Sequence, residues 1–145
     1  MTERQLTSLG TFTKLMRATN TLQDRLKRVV RLPPQLAGSG FAILEVLLHK
    51  GPLCQYQISE KILKTTGNIS QALDKLEQKG LVMRLEGPDR RTFTIELTSE
   101  GHEMIVGAFK DMSQAIEESF MVLEMEEQLE LSRICKKLGL GLGRI

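Results

Sequence analysis

The sequence contains few residues that could bind a metal ion, and it has no long hydrophobic run. Its two cysteines, Cys54 and Cys135, lie far apart, and no Cys-x-x-Cys spacing occurs. Only His49 and His102 could add ligands, so the spacing of a zinc site is missing and we expect no metal and no cofactor. No apolar stretch approaches the ~18 residues that a membrane-spanning helix needs, and residues 1–5 are too polar for a secretory signal. We therefore expect a cytoplasmic protein without a membrane partner.

The side-chain arrangements that are typical of enzymes are missing as well. No nucleophile is paired with a general base, and no pair of carboxylates falls in an expected cleft. The tail has glycines at positions 139, 141 and 143, but no strand precedes them and no helix follows, as a nucleotide-binding loop would require. The sequence therefore predicts a protein that is not an enzyme.

The charges are unevenly distributed along a chain of ordinary globular composition. Hydrophobic residues make up 41% and charged residues 26% of the 145 positions, which is enough for a buried core. Residues 1–95 hold 15 Lys and Arg against 8 Asp and Glu, a balance of +7, whereas residues 96–145 hold 5 against 10, a balance of −5. Such asymmetry indicates either a first part that binds a polyanion or charges spread over solvated faces.

Amphipathic helices are predicted at both ends of the chain. Apolar residues recur at three- and four-residue steps over residues 6–30, and the proline pair that follows ends this helix. Similar spacings predict helices over about 98–120 and about 126–138. The first of these two has Thr98 or Ser99 as its N-cap.

The apolar stripes of these end helices need a cover, because the residues between them can close a core of their own. We expect residues 1–34 and 101–145 to be dimerisation helices around a lobe at 35–100, since two-fold symmetry is the commonest way to cover such stripes. A helix bundle within one chain is the alternative.

The central lobe is predicted to contain three short helices followed by a hairpin. The helices are expected at 41–48, 55–63 and 68–79, and Thr65 is the expected N-cap of the third. Gly80 is placed to end that helix in a left-handed conformation. Strand-like segments at 81–85 and 92–97 enclose a six-residue loop that contains Gly and Pro. The order helix, turn, helix, basic hairpin is typical of DNA-binding domains.

The third of these helices has a polar face that is suited to the major groove. Its amides, hydroxyls and amine can contact base edges or phosphates, and its N-terminus favours an anion. An ordinary solvated helix face is the alternative. The candidate DNA-binding residues of this recognition helix are Thr66, Asn68, Ser70, Gln71 and Lys75.

The hairpin adds a cationic finger next to that helix. Arg90 and Arg91 lie at its tip and Arg84 on the strand leading to it, so the ribbon can reach the negative potential of a minor groove. Asp89 would be repelled by phosphate, and we expect it to hold an arginine or the loop in place. The alternative is a charged turn that maintains solubility.

Three separated segments together resemble the signature of the MarR winged helix-turn-helix regulators. They are Leu76-Glu77-Gln78-Lys79-Gly80-Leu81-Val82-Met83-Arg84, Asp89-Arg90-Arg91 and Leu97-Thr98-Ser99-Glu100-Gly101. The match is specific because the three agree in order and distance, and the flanking helices extend it over nearly the whole chain.

The resemblance implies a mainly α fold with a small β-hairpin wing (α+β), in which a winged helix-turn-helix is flanked by N- and C-terminal dimerisation helices. It implies a homodimer that binds a pseudo-palindromic operator in double-stranded DNA and usually represses transcription. It also assigns the Asp-x-Arg of the wing to Asp89 and Arg91. A small-molecule effector would bind between the lobe and the dimerisation helices and change the spacing of the two recognition helices.

The sequence therefore predicts a homodimeric, sequence-specific DNA-binding transcription regulator, for which repression is the expected sign of regulation. A winged-helix module that binds an acidic protein is the alternative function. Cys54 could act as an oxidant sensor, because it is expected at a helix start near Lys50, or it could be a small apolar filler.

Overall fold

The computed structural model describes residues 1–62, 66–87 and 93–143, with only the backbone described at positions 66 and 67. Its helices are α1 (Glu3–Val29), a 3-10 turn (Pro34–Leu36), α2 (Gly40–Lys50), α3 (Gln55–Ile62), α4 (Thr66–Gln78), α5 (Ser99–Phe120) and α6 (Met125–Gly141). Its strands are β1 (Leu53–Cys54), β2 (Val82–Glu86) and β3 (Phe93–Leu97). In the part of the chain so described, no helix is long and apolar enough to cross a membrane.

The predicted fold class is confirmed: the chain is mainly helical and carries a small antiparallel sheet. Strand β3 lies in the middle, with β2 on one side and β1 on the other. The β2–β3 hairpin pairs Val82 with Leu97 and continues to Glu86 opposite Phe93. Strand β1 was not predicted, because a two-residue strand has no alternation that a sequence could show.

Two compact units divide the chain. The central unit comprises Arg31–Met112, and the outer unit comprises Met1–Val30 together with the chain from Ser113 onward. The predicted dimerisation segments and lobe had boundaries at 34/35 and 100/101, so α5 begins in one unit and ends in the other. The role of the outer helices in dimerisation remains a prediction.

The core of the central unit is formed by one face of each of its helices and by the inner face of the sheet. Its fully buried side chains are Leu36, Ile43, Leu44, Ile58, Ile69, Leu73, Leu76, Ile95 and Ile105. Three of these, on α4, follow three- and four-residue steps, so the helix buries one stripe and leaves the opposite face to solvent.

Helix α4 ends in a Schellman motif, as the sequence predicted for Gly80. Gly80 has φ +74°, and its amide donates to the Glu77 carbonyl at 3.0 Å. The Leu81 amide donates to the Leu76 carbonyl at 3.0 Å, and the Leu81 side chain is buried. These bonds satisfy carbonyls that the helix end would otherwise leave unpaired. The predicted N-cap, Thr65, lies outside the described residues.

The start of α5 is bonded to the end of α4 through Thr98. The Thr98 hydroxyl donates to the Gly80 carbonyl at 2.6 Å and accepts from the Gly101 amide at 3.0 Å, which confirms Thr98 as the N-cap. The Thr98 amide donates to the Leu81 carbonyl at 3.1 Å. The end of α4, the base of the hairpin and the start of α5 therefore meet at one hydrogen-bonded junction.

The outer unit leaves many large apolar side chains exposed. No residue of α1 or α6 is buried, and Phe12 on α1 keeps 61% of its surface exposed. Within this unit Arg25 donates to the Ser119 hydroxyl at 2.9 Å and so joins α1 to α5. On α6, hydrogen bonds from Arg133 hold the pKa of the Glu130 carboxyl below its usual range.

Candidate nucleic-acid interface

Helix α4 presents three of the predicted recognition residues on one exposed stripe. Asn68, Gln71 and Lys75 are exposed and follow one another at three- and four-residue steps, so they lie on the same side of the helix. They border a cavity of about 210 Å³ whose other wall is the segment from Pro34 to Gly40. The structure therefore brings these three polar side chains together beside the start of α2.

Lys79 extends this stripe and was not predicted from the sequence. It is exposed and lines the same cavity as Lys75, one turn further along the chain. In the sequence it stands out only as the last residue of the expected helix. Lys79 follows Lys75 by four residues, and this helical spacing could have identified it in the sequence. The two lysines add two positive charges at the C-terminal end of the stripe.

Ser70 is separated from the other candidates. It is half-buried and faces the sheet, where it lines a cavity of about 370 Å³ together with Arg84, Tyr56 and Phe93. Thr66 is the first residue of α4, and its side chain is outside the described part of the structure. The structure therefore brings only Asn68, Gln71 and Lys75 of the five candidates onto one exposed surface, and their contact with DNA stays a prediction.

The wing is described up to the pair Glu86 and Phe93. The predicted tip residues Asp89, Arg90 and Arg91 lie outside the described residues, so their DNA contacts remain predictions. Arg84 is described and lies on β2, where its partner across the hairpin is the buried Ile95. The hairpin thus places Arg84 on the face of the sheet that is directed towards α4.

Arg84 is already paired within the protein. Its Nη2 atom lies 2.7 Å from Asp74 Oδ1, and its Nη1 atom lies 3.9 Å from Glu77 Oε1. Both carboxylates belong to α4 and are partly exposed. In the sequence Asp74 is merely one more residue of the polar face, because a contact between a helix and a strand cannot be read from periodicity.

Cys54, the candidate oxidant sensor, lies in β1 immediately before α3 and is half-buried. Its backbone amide donates to Gln57 Oε1 at 3.0 Å, so the residue starts the helix as expected. Cys135 is exposed on α6. Across the described ranges, no group of three or more His, Cys, Asp and Glu is placed to hold a metal ion.

Helices α3 and α4, which follow one another in the chain and precede a two-stranded ribbon, define a winged helix-turn-helix protein. The family model described as "MarR family" matches residues 39–93. The chain is also 36% identical over 142 residues to the HTH-type transcriptional regulator MhqR of Bacillus subtilis (strain 168), covering 97% of this chain and 95% of that protein. The chain therefore belongs to the MarR family, and the resemblance found in the sequence is confirmed.

Solved structures agree on the fold. Bordetella bronchiseptica BpsR, whose DNA binding is regulated by 6-hydroxynicotinic acid, superposes with a TM-score of 0.78 at 17% identity, covering 89% of this chain and 98% of that one. A mutant of MarR from E. coli gives a TM-score of 0.62 at 20% identity, covering 95% of this chain and 96% of that one. Together with the family membership, this fold makes the chain a DNA-binding transcriptional regulator of the helix-turn-helix type.

Proposed function

We propose that the protein is a homodimeric repressor that binds a pseudo-palindromic operator through two copies of helix α4. The observation that carries this proposal is the exposed stripe of Asn68, Gln71 and Lys75 on the side of α4 opposite its buried leucines. Amides on such a stripe can pair with adenine edges, whereas the lysine can pair with a phosphate.

The dimer is supported by the apolar surface of the outer unit. A single chain leaves about half of each of Leu6, Leu9, Leu138 and Leu140 exposed to water. Exposed apolar residues at helical spacing on two helices are typical of a surface that another protein covers. A second copy would cover it by two-fold symmetry, and the two α4 helices would then meet successive major grooves about 34 Å apart. Residues 1–34 and 101–145 would supply this interface.

The wing is proposed to contact DNA beside the groove that α4 enters. Arg90 and Arg91 are placed at the hairpin tip by the sequence, and Asp89 would orient one of them. Arginine in a narrow ribbon is attracted by the negative potential of the minor groove. Repression would follow from occupation of the operator by the dimer.

Substitutions on the stripe test this assignment of roles. Gln71→Ala should reduce the discrimination between operator and unrelated DNA by about tenfold, because a base contact is lost. Lys75→Gln should weaken binding to every sequence and reduce the slope of log affinity against log salt by about one, because a phosphate contact is lost. Gel shifts at several salt concentrations, with an operator selected from genomic fragments, would measure both.

Lys50→Gln serves as the control, because it removes one exposed lysine from the end of α2, away from both the stripe and the proposed dimerisation helices. Its affinity for DNA should stay close to that of the wild type. If both stripe variants bound operator and unrelated DNA as the wild type does, α4 would not be the element that recognises the DNA sequence. The proposed role of this stripe would then be wrong.

We propose further that a small aromatic molecule weakens DNA binding. Support comes from structural neighbours: BpsR responds to 6-hydroxynicotinic acid, and the organohalide-sensing regulator RdhR-CbdbA1625 has a form with bound 2,4-dichlorophenol, at a TM-score of 0.69 and 17% identity. An effector acts by binding more tightly to one conformation of the dimer than to another, where the two conformations differ in the spacing of the recognition helices. Oxidation of Cys54 is a second proposed signal.

Titration of a preformed protein–DNA complex with substituted phenols and with peroxide tests both signals. A phenolic effector should release DNA at micromolar to millimolar concentration and raise the midpoint of thermal unfolding of the free protein. Peroxide should release DNA from the wild type but not from Cys54→Ser. If neither treatment released DNA, both proposed signals would be wrong, and the DNA-binding proposal would stand by itself.

A further inference from the structure

Arg84 connects the wing to the recognition helix. It lies on β2, and its guanidinium reaches Asp74 Oδ1 at 2.7 Å and Glu77 Oε1 at 3.9 Å on α4. The two carboxylates are three residues apart and therefore lie on one side of the helix. A planar guanidinium with several fixed donors can hold two such acceptors at once. A side-chain hydrogen bond thus links Asp74 to Arg84, ten positions further along the chain.

Because Arg84 is paired with these carboxylates, little of its guanidinium group is available to contact a DNA phosphate. Its side chain keeps 30% of its surface exposed, and the short bond to Asp74 directs a donor at α4. A phosphate that approached this guanidinium would also approach the carboxylates of Asp74 and Glu77, which repel it. The acidic pair is next to Lys75, so without Arg84 the negative charge beside the DNA-contacting stripe would be uncompensated.

We infer that Arg84 is a positioning residue, which fixes the wing strand against α4, and not a DNA contact. This inference rests on the proposed function, because it concerns how the helix and the wing are held for one DNA site. The role assigned to Arg84 from the sequence alone is thereby replaced: its positive charge is used within the protein. Specificity then depends on Asp74 as much as on Arg84.

A fixed angle between helix and wing matters for operator binding more than for binding to arbitrary DNA. Both elements must fit the operator together, so a wing that is free to move has to be ordered when the complex forms. Binding to arbitrary DNA depends mainly on phosphate contacts, which tolerate such movement. Loss of the link should therefore lower the ratio of operator affinity to non-specific affinity.

The effect of Asp74→Asn on affinity distinguishes the two roles by its sign. If Arg84 positions the wing, Asp74→Asn and Arg84→Gln should each lower operator affinity by about three- to tenfold. The reversed pair, Asp74→Arg with Arg84→Asp, should recover a large part of that loss. The slope of log affinity against log salt should stay the same in Arg84→Gln, because no phosphate contact has been removed.

A phosphate contact would give the opposite pattern. Removal of the Asp74 carboxylate would then tighten binding, Arg84→Gln would reduce the salt slope by about one, and the reversed pair would bind worst of all. Any of these three results would overturn the inference. Glu60→Gln is the matched control: it removes an exposed carboxylate from α3, for which the described part of the chain shows no ion pair, and should leave the specificity ratio unchanged.

Hydrogen exchange of the β2 amides, Val82 to Glu86, gives a measurement that does not depend on DNA. Exchange should be faster in both Asp74→Asn and Arg84→Gln than in the wild type and in Glu60→Gln. Unchanged exchange in both variants would overturn the link. If the wild type itself failed to bind DNA, the proposed function would be wrong, whereas the exchange experiment would still decide whether Arg84 holds the wing to α4.

Discussion

Gly101→Ala is expected to destabilise the central unit by about 3 kcal/mol or more, because a Cβ atom has no room at this position. An ideal Cβ at Gly101 would lie 1.9 Å from the Leu81 carbonyl oxygen and 2.8 Å from its carbon. Both are backbone atoms at the base of the wing, so no side chain can move aside. Either α5 or strand β2 would have to shift.

The shift would break the junction that Thr98 maintains. The bond of 3.1 Å from the Thr98 amide to the Leu81 carbonyl would lengthen, and the N-cap bond to the Gly101 amide would be disturbed. We expect the midpoint of thermal unfolding to fall by about 10 °C, measured by circular dichroism at one fixed protein concentration.

Gly107→Ala is the matched control on the same helix. Nothing lies within 4 Å of a Cβ built at Gly107, and the residue is exposed. Alanine should stabilise α5 there by about 0.5–1 kcal/mol, because glycine costs more backbone entropy in a helix. A Gly101→Ala protein as stable as Gly107→Ala would show that the contact between α5 and the base of β2 is looser than the structure has it.

Leu138→Glu is expected to convert the proposed dimer into a monomer and to lower operator affinity by about 100-fold or more. Leu138 is half exposed in the single chain, as are Ile134 and Leu131 on the same side of α6. A carboxylate at this position would have to be buried at a two-fold interface in both copies, without a partner. A monomer would keep one recognition helix and would lose the second, tethered one.

Light scattering would measure the mass of the variant, and gel shifts its affinity for the operator. Lys137→Glu is the matched control, because the neighbouring residue points about 100° away around the helix. It should remain dimeric and bind DNA. A dimeric Leu138→Glu with unchanged affinity would exclude this face of α6 from the interface.

The sequence predicted the elements well where a local rule governs them. Gly80 could be placed at the end of α4 because a left-handed position strongly favours glycine, and Thr98 because a hydroxyl before a helix caps it. Strand β1 was not predicted, since two residues are too few to show a periodic pattern. The polar face of α4 was predicted from the spacing of its polar residues, but Lys79, which continues that face, was not included.

Contacts between different helices and strands could not be predicted from such local rules. The sequence grouped Ser70 with Gln71, although the adjacent positions lie about 100° apart and Ser70 turns towards the sheet. It grouped Arg84 with the arginines of the wing tip, although β2 places that side chain against Asp74. In both cases the partner lies on another element, and its position depends on how the helix and the strand pack.

The amino-acid sequence by itself determined which segments are helical, where they stop, which faces are apolar and which family the chain belongs to, because these follow from spacing and from residue-specific backbone preferences. Only the tertiary structure decided which charges face solvent and which are neutralised within the protein. The reason is that a charge interacts mainly with groups within a few ångströms of it. For Arg84, the packing of α4 against the wing determines that this neighbour is the Asp74 carboxylate.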